Sequence, residues 1–237
     1  DEGEAKAVNG VRFAVPRGKV LALVGESGCG KSVTSYSILR LIQKPGRTTG
    51  GHIRYHGADG MELDLAAVSE KDPRLYEIRG NRIAMIFQEP MTALSPVHTI
   101  GGQLSEVLFL HRKMSKKEAR ERVIAMLGRV GIPAPERRFD QYPFELSGGM
   151  RQRIVIAMAM LSSPELLIAD EPTTALDVTI QSQVLSLMRS LQRETGSSVL
   201  LITHDLAVVA ETADLVAVMY LGRIVEQGSV REIIKNP

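Results

Sequence analysis

Val20-Leu21-Ala22-Leu23-Val24-Gly25-Glu26-Ser27-Gly28-Cys29-Gly30-Lys31-Ser32-Val33 is the stretch that decides how this chain folds. The five apolar residues ahead of Gly25 read as a buried strand. The segment after Gly30 reads as a helix over residues 31–42, stopped before Pro45-Gly46. Between them, Gly25 to Ser32 fits the template G-x-x-x-x-G-K-[ST] in the strand-then-helix context it requires. Glycines there let backbone N–H groups curl around phosphate oxygens at a helix N-terminus, whose dipole favours negative charge. Lys31 is spaced to reach the β- and γ-phosphates, and the Ser32 hydroxyl to ligate Mg²⁺. Gly25, Glu26, Ser27, Gly28, Cys29, Gly30, Lys31, Ser32 and Val33 are therefore the expected nucleotide-binding residues. A plain glycine-rich turn leaves the completeness of this match unexplained.

Outward from that stretch, 237 residues suit one α/β domain with room for a smaller subdomain. Hydrophobic residues make up 44% and charged residues 24%, ordinary for a globular protein. A net charge of +2 from 29 basic and 27 acidic residues, with no Trp, five Phe and five Tyr, disfavours nucleic acid as a partner. Cys29 is the sole cysteine, so no internal disulfide can form and a reducing compartment is expected. No apolar run reaches membrane-spanning length and no secretory signal is visible, so any membrane role is expected to be peripheral. The chain opens on Asp1 rather than Met, as a trimmed or processed form would.

Residues 11–15 read as a further strand before the turn Pro16-Arg17-Gly18-Lys19. Residues 52–56 alternate like a half-exposed strand, with His52 and His56 facing solvent rather than a metal. Residues 83–87 read as a buried strand, followed by a loop bracketed by Pro90 and Pro96. From residue 100 to 161 the period is helical. Ser115-Lys116-Lys117-Glu118 is a capping box, Val123, Met126, Leu127 and Val130 form one apolar stripe, and Gly131 suits the helix end. Lys113, Lys116, Lys117, Arg120 and Arg122 read most simply as a solvated face, with contact to lipid headgroups as the alternative. Strands then return at residues 166–169 and 199–202, with a helix over 178–195 closed by Gly196. Residues 215–220 and 224–227 flank Leu221-Gly222-Arg223 as a hairpin.

Leu166-Leu167-Ile168-Ala169-Asp170-Glu171 sets two carboxylates at the carboxyl end of an apolar strand, where open α/β sheets bind ligands. Asp170 is expected to help hold Mg²⁺, and Glu171 to face the γ-phosphate and deprotonate the attacking water. His204, after the run 199–202, is expected at the γ-phosphate. Gln88, after Phe87, is expected beside Mg²⁺ and the lytic water. Catalytic candidates are thus Glu171, His204 and Gln88, and metal candidates Ser32, Gln88 and Asp170.

Gly25–Ser32, Gln88, Leu146-Ser147-Gly148-Gly149, Asp170-Glu171, Ala175-Leu176-Asp177 and His204 stand in the order found in ATP-binding cassette ATPases, which the whole chain resembles. The resemblance implies an α/β fold: a P-loop NTPase (RecA-like) core with an antiparallel β subdomain and an inserted α-helical subdomain. Its implied bounds are 1–88 and 162–237 for the core and 89–161 for the insert. It implies a head-to-tail dimer sandwiching two ATP molecules, with Ser147, Gly148 and Gly149 at the partner's γ-phosphate and Asp177 communicating across the dimer. An anion there also suits the free N–H groups of a helix opening at Ser147-Met150. Met150, the segment from Phe87 to Leu94, that from Thr173 to Thr179 and that from Met219 to Glu226 resemble the dipeptide/oligopeptide/nickel importer branch. In that family the adenine-stacking aromatic lies upstream of the first strands, where this chain has none; Phe13 reads as core, so weak nucleotide affinity is expected. Members of the branch commonly continue past the position of Asn236-Pro237.

The resemblance implies ATP and Mg²⁺ as cofactors and a second cassette, more often unlike than identical. It also implies a transmembrane permease, a separate solute-binding protein and a place on the cytoplasmic face of the membrane. The permease is expected at residues 89–103, with Met91, Leu94 and Val97 as apolar contacts. A cassette ATPase acting on DNA or ribosomes predicts a coiled-coil insertion, tandem cassettes or a basic face, and a nucleotide sensor predicts loss of Glu171 or His204; neither pattern is present. No Asn-Lys-x-Asp segment for reading guanine occurs. Cys29, beside the phosphates, predicts that alkylation blocks ATP binding.

Overall fold

The computed structural model describes residues 5–89, 92–173 and 177–235. The expectations placed on Pro90, Met91, Ala175-Leu176 and Asn236-Pro237 lie outside the described residues. Strands are β1 (Val20–Val24), β2 (Arg54–His56), β3 (Glu62–Asp64), β4 (Ile83–Ile86), β5 (Leu166–Asp170), β6 (Ser198–Thr203), β7 (Leu215–Tyr220) and β8 (Arg223–Ser229). Helices are α1 (Lys31–Ile38), α2 (Pro73–Ile78), α3 (Ile100–His111), α4 (Lys116–Arg129), α5 (Pro135–Phe139), α6 (Gly148–Met160), α7 (Val178–Thr195), α8 (Leu206–Thr212) and α9 (Val230–Lys235).

Among the described residues one sheet runs in the order β4-β5-β6-β1-β7-β8, parallel except for the antiparallel β7–β8 pair. All five residues of β1 and all six of β6 are buried, as a parallel strand covered on both faces requires. Alternate residues serve opposite layers. Val199 and Leu201 join α3, α4, α6 and α7 on one face; Leu200 and Ile202 join Leu39, Leu63, Leu65, Leu75 and Ile78 on the other. The β7–β8 loop is Leu221-Gly222, with φ of 44° and 76°, the pair of left-handed residues that a two-residue hairpin turn demands.

The helical stretch bears out its local signals. Ser115 and Glu118 form the reciprocal capping box at α4, and Val123, Met126, Leu127 and Val130 are all buried. Helix α7 has the expected bounds, and Gly196 closes it at φ 69°.

Three expectations need correction. Residues 11–15 are not in a strand: Val11, Phe13 and Val15 rest on the core, and among the described residues this one-sided packing accounts for their alternation. Helix α1 ends at Ile38, not residue 42. The Arg79 guanidinium donates to the carbonyls of Leu39 (2.8 Å) and Arg40 (3.0 Å), and Arg40 turns left-handed at φ 55°. That contact, distant in sequence, satisfies carbonyls that the helix end leaves without intrahelical partners and so fixes the turn there. Lastly, the strand expected over residues 52–56 is confined to Arg54–His56; His52 and His56 face solvent as expected, each beside a carboxylate from the facing strand region, Asp64 at 2.6 Å and Glu62 at 3.2 Å. They are exposed pairs, and no group of three metal-ligating side chains occurs among the described residues.

Candidate active site

Four parallel strands deliver the site. Val24 lies opposite Thr203, Asp170 opposite Ile202 and Ile86 opposite Ala169, so β4, β5, β6 and β1 end level with one another. The segments leaving those ends carry Gln88, Glu171, His204 and the Gly25–Ser32 loop. Residues separated by more than a hundred positions are thereby lined up along one edge.

The loop is held by close packing. A Cβ at Gly25 would stand 2.2 Å from the Met219 carbonyl oxygen and 2.8 Å from the Cys29 sulfur. At Gly30, φ 109°, it would stand 2.3 Å from the Ala7 carbonyl oxygen. Gly222 donates to the Cys29 carbonyl (2.9 Å) and accepts from the Asn9 amide (2.7 Å), so the hairpin turn and the segment near residue 7 brace the loop from behind. Helix α1 starts at Gly30 with no side chain capping it, which leaves its first N–H groups available to an anion. Lys31 is 5% exposed and donates to the carbonyls of Gly25 and Glu26, both at 2.8 Å. Cys29 is 5% exposed beneath the loop, with its sulfur 3.9 Å from Lys31 Nζ.

Asp170 is fully buried, and neither carboxylate oxygen accepts a hydrogen bond. Burial pushes its carboxyl pKa up and the Glu171 charge adds to this; the nearby Ser32 and Ser35 hydroxyls and the Lys31 ammonium work in the opposite direction. An orphaned carboxylate beside Ser32 fits a divalent cation. Magnesium needs only one or two protein oxygens, the remainder coming from phosphate and water, so a fuller cluster of protein ligands is not required.

Glu171 sits at φ 46°, a left-handed conformation unusual for a non-glycine residue. Its amide donates to the Ile202 carbonyl at 2.9 Å. Its carboxylate receives Gln88 Nε2 at 3.5 Å on one oxygen and faces His204 Nδ1 at 3.2 Å on the other. The three catalytic candidates are therefore one cluster. With Nδ1–H on Glu171, Nε2 of His204 donates to a phosphate only when the imidazole carries both protons. Asp205, after His204, caps α8 through the amides of Ala207 and Val208.

Ser147 and the Gly148–Gly149 pair open α6. The Ser147 hydroxyl accepts from the Met150 amide at 3.3 Å, so Met150 is not among the free amides; Gly148 and Gly149 stand in the first turn, where no intrahelical acceptor exists. Asp177 caps α7 through the Ile180 amide at 2.9 Å and is exposed. Val33 is half-buried on α1. Sequence reasoning missed Tyr36, whose ring lies 6.1 Å from that of Phe87, next to Gln88. Its spacing of four from Ser32, which puts both on one helix face, was the available signal. The apolar contact expected at Leu94 fails: that residue is 5% exposed and packed in the core, while Val97 is 72% exposed. Among the described residues no helix is long and apolar enough to cross a membrane.

Comparison with known proteins agrees with this geometry. A putative peptide import ATP-binding protein of Brucella ovis is 58% identical over 235 residues, covering 99% of this chain and 69% of that protein. The oligopeptide transport ATP-binding protein OppD of Bacillus subtilis is 54% identical over 236 residues, 99% of this chain and 64% of its own length. The dimeric post-hydrolysis structure of the ATP-binding cassette MJ0796 bound to ADP and Pi superposes with a TM-score of 0.81 at 27% identity, covering 98% of this chain and 94% of that one. The sequence pattern described as ABC transporter matches residues 8–174, which include the phosphate loop, Gln88 and the Asp170-Glu171 pair. With the phosphate loop, the strand-end carboxylates and the helix-opening Ser147 all in their places, the chain belongs to the ABC transporter family as one of its ATPase cassettes.

Proposed function

We propose that this cassette hydrolyses ATP to drive uptake of dipeptides, oligopeptides or a related small solute, nickel included, through a separate membrane permease. The observation that carries the catalytic reading is the cluster of Gln88, Glu171 and His204 at strand ends beside the phosphate loop. The peptide cargo rests on the names of relatives more than half identical over nearly the whole chain.

In this reading the amides of residues 25–32 and Lys31 bind the phosphates, with Lys31 exchanging its carbonyl partners for phosphate oxygens. Glu171 takes the proton of the attacking water, held in place by Gln88 and His204. Positioned base catalysis of this kind contributes roughly 10²–10⁴ in rate. Ser32, Gln88 and Asp170 would hold Mg²⁺, which neutralises charge developing on the phosphates. Ser147, Gly148 and Gly149 meet ATP held by a partner cassette, and Asp177 lies at that junction. Residues 1–88 and 162–237 form the nucleotide-binding core and residues 89–161 the helical insert. The partner cassette is unlike rather than identical, a solute-binding protein feeds the permease, and the assembly works at the cytoplasmic face of the membrane. Val97, in the loop after Gln88, remains a permease contact; Leu94 does not.

Light scattering of the Glu171→Gln variant with and without Mg-ATP tests this. The variant is expected to bind ATP, to stop hydrolysing it and to shift toward dimer, either alone or with its partner cassette. Undiminished hydrolysis would refute the role of Glu171.

A further inference from the structure

Gln152 lies on α6, 1% exposed among Ile154, Val155 and Ile156. A carboxamide sealed in such surroundings needs a hydrogen-bond partner. Its Nε2 donates to the carbonyl of Pro172, twenty residues away and directly after Glu171. Glu171 itself holds a left-handed conformation, φ 46°, which is strained for a non-glycine residue and persists only where its surroundings impose it. On the amino side, the Glu171 amide is tied to Ile202 at 2.9 Å. On the carboxyl side, one peptide unit beyond Glu171's own carbonyl, the carbonyl of Pro172 is the one Gln152 holds. The strained residue is bracketed by the two bonds, and its side chain leaves from between them toward Gln88 and His204.

We infer that Gln152 is a positioning residue for Glu171: its carboxamide pins the Pro172 carbonyl and so fixes the backbone turn that aims the carboxylate. The same helix starts at Ser147, little more than one turn earlier. Engagement of Ser147, Gly148 and Gly149 by a partner's nucleotide would therefore reach Glu171 through one rigid segment and one hydrogen bond. Arg153, the next residue, points elsewhere, to the Val130 carbonyl (2.9 Å) and Gln183 (3.0 Å). The inference rests on Glu171 being the base in the proposed function.

The test replaces Gln152 by Met, which keeps the length and loses the donor, and by Asn, which keeps the amide but falls short of Pro172. Turnover, equilibrium ATP binding and thermal midpoint are measured in the assembled transporter, beside wild type and Glu171→Gln. A displacement of the base by about 1 Å is worth up to about a hundredfold in rate. The expected result is a kcat lower by about 10–100-fold in both variants, with ATP affinity close to wild type and both proteins folded at the assay temperature, their thermal midpoints lowered only as an unpaired buried polar group requires. Full turnover in either folded variant overturns the inference, as does a kcat that falls only in step with ATP affinity or folded fraction. Wild type that does not hydrolyse ATP, or Glu171→Gln that does, overturns the proposed function instead. If Gln152→Met does not fold, Gln152→Asn carries the same outcomes.

Discussion

Gly149 separates what the fold needs from what the nucleotide needs. A Cβ built there would meet Ile180 side-chain carbons at 3.5 and 3.8 Å, ordinary van der Waals contacts, and the residue is not left-handed. It occupies the second position of α6, where glycine carries an entropic cost of about 0.5–1 kcal/mol relative to alanine. The isolated cassette thus gives no steric or conformational reason for a glycine. Gly149→Ala should raise the thermal midpoint by about 1–4 °C, given about 2–4 °C per kcal/mol for a domain of this size. Function should move the other way. If the Gly149 backbone approaches a phosphate held by the partner, a methyl group at the contact displaces it by about an ångström, worth about 10–100-fold in turnover. Thermal unfolding of the purified variant and steady-state hydrolysis in the assembled transporter read the two effects separately. A lowered midpoint would refute the packing argument, and wild-type turnover would refute the close approach.

Asp170→Asn should remove a buried, unpartnered charge. The folded pKa of Asp170 is raised above its ordinary value of 3.8, so its contribution to stability is present below that value and is lost as pH climbs through the raised one. Without metal, the Asn variant should therefore match or exceed wild type in thermal midpoint near neutral pH while losing Mg²⁺-dependent hydrolysis; a lower midpoint would contradict this. Gly30→Ala would force a Cβ to 2.3 Å from the Ala7 carbonyl oxygen at φ 109°, and should cost at least about 1–3 kcal/mol in chemical denaturation and abolish ATP binding. Cys29, at 5% exposure, should react with iodoacetamide far more slowly in the native cassette than in urea, and the alkylated protein should not bind ATP. Rapid native labelling with ATP binding intact would place the thiol elsewhere.

How much was legible depends on whether a signal is local. The phosphate loop, the α4 capping box, the α7 bounds with Gly196 and the hairpin around Leu221-Gly222 are each specified by residues within a few positions of one another, although Arg223, expected in the turn, is the first residue of β8. Helix α2 has a local start signal in Asp72, whose side chain caps it, and in Pro73 at its first position. The end of α1 was not readable at all, because Arg79 sets it from forty residues away. Nor was the absence of a strand at residues 11–15, since one-sided packing and a paired edge strand produce the same alternation.

The sequence by itself determined that a nucleoside triphosphate is bound and which side chains are competent for its chemistry, because that loop and those strand-end carboxylates follow from short-range backbone geometry. Tertiary structure decided their assembly. Only the sheet order β4-β5-β6-β1 brings Gln88, Glu171 and His204 within hydrogen-bonding reach at the mouth of the phosphate loop. Only the fold buries Asp170 without a partner, buries Leu94 out of a partner's reach and ties Gln152 to the carbonyl behind Glu171. Burial and long-range pairing are properties of the packed layers, which no local pattern encodes.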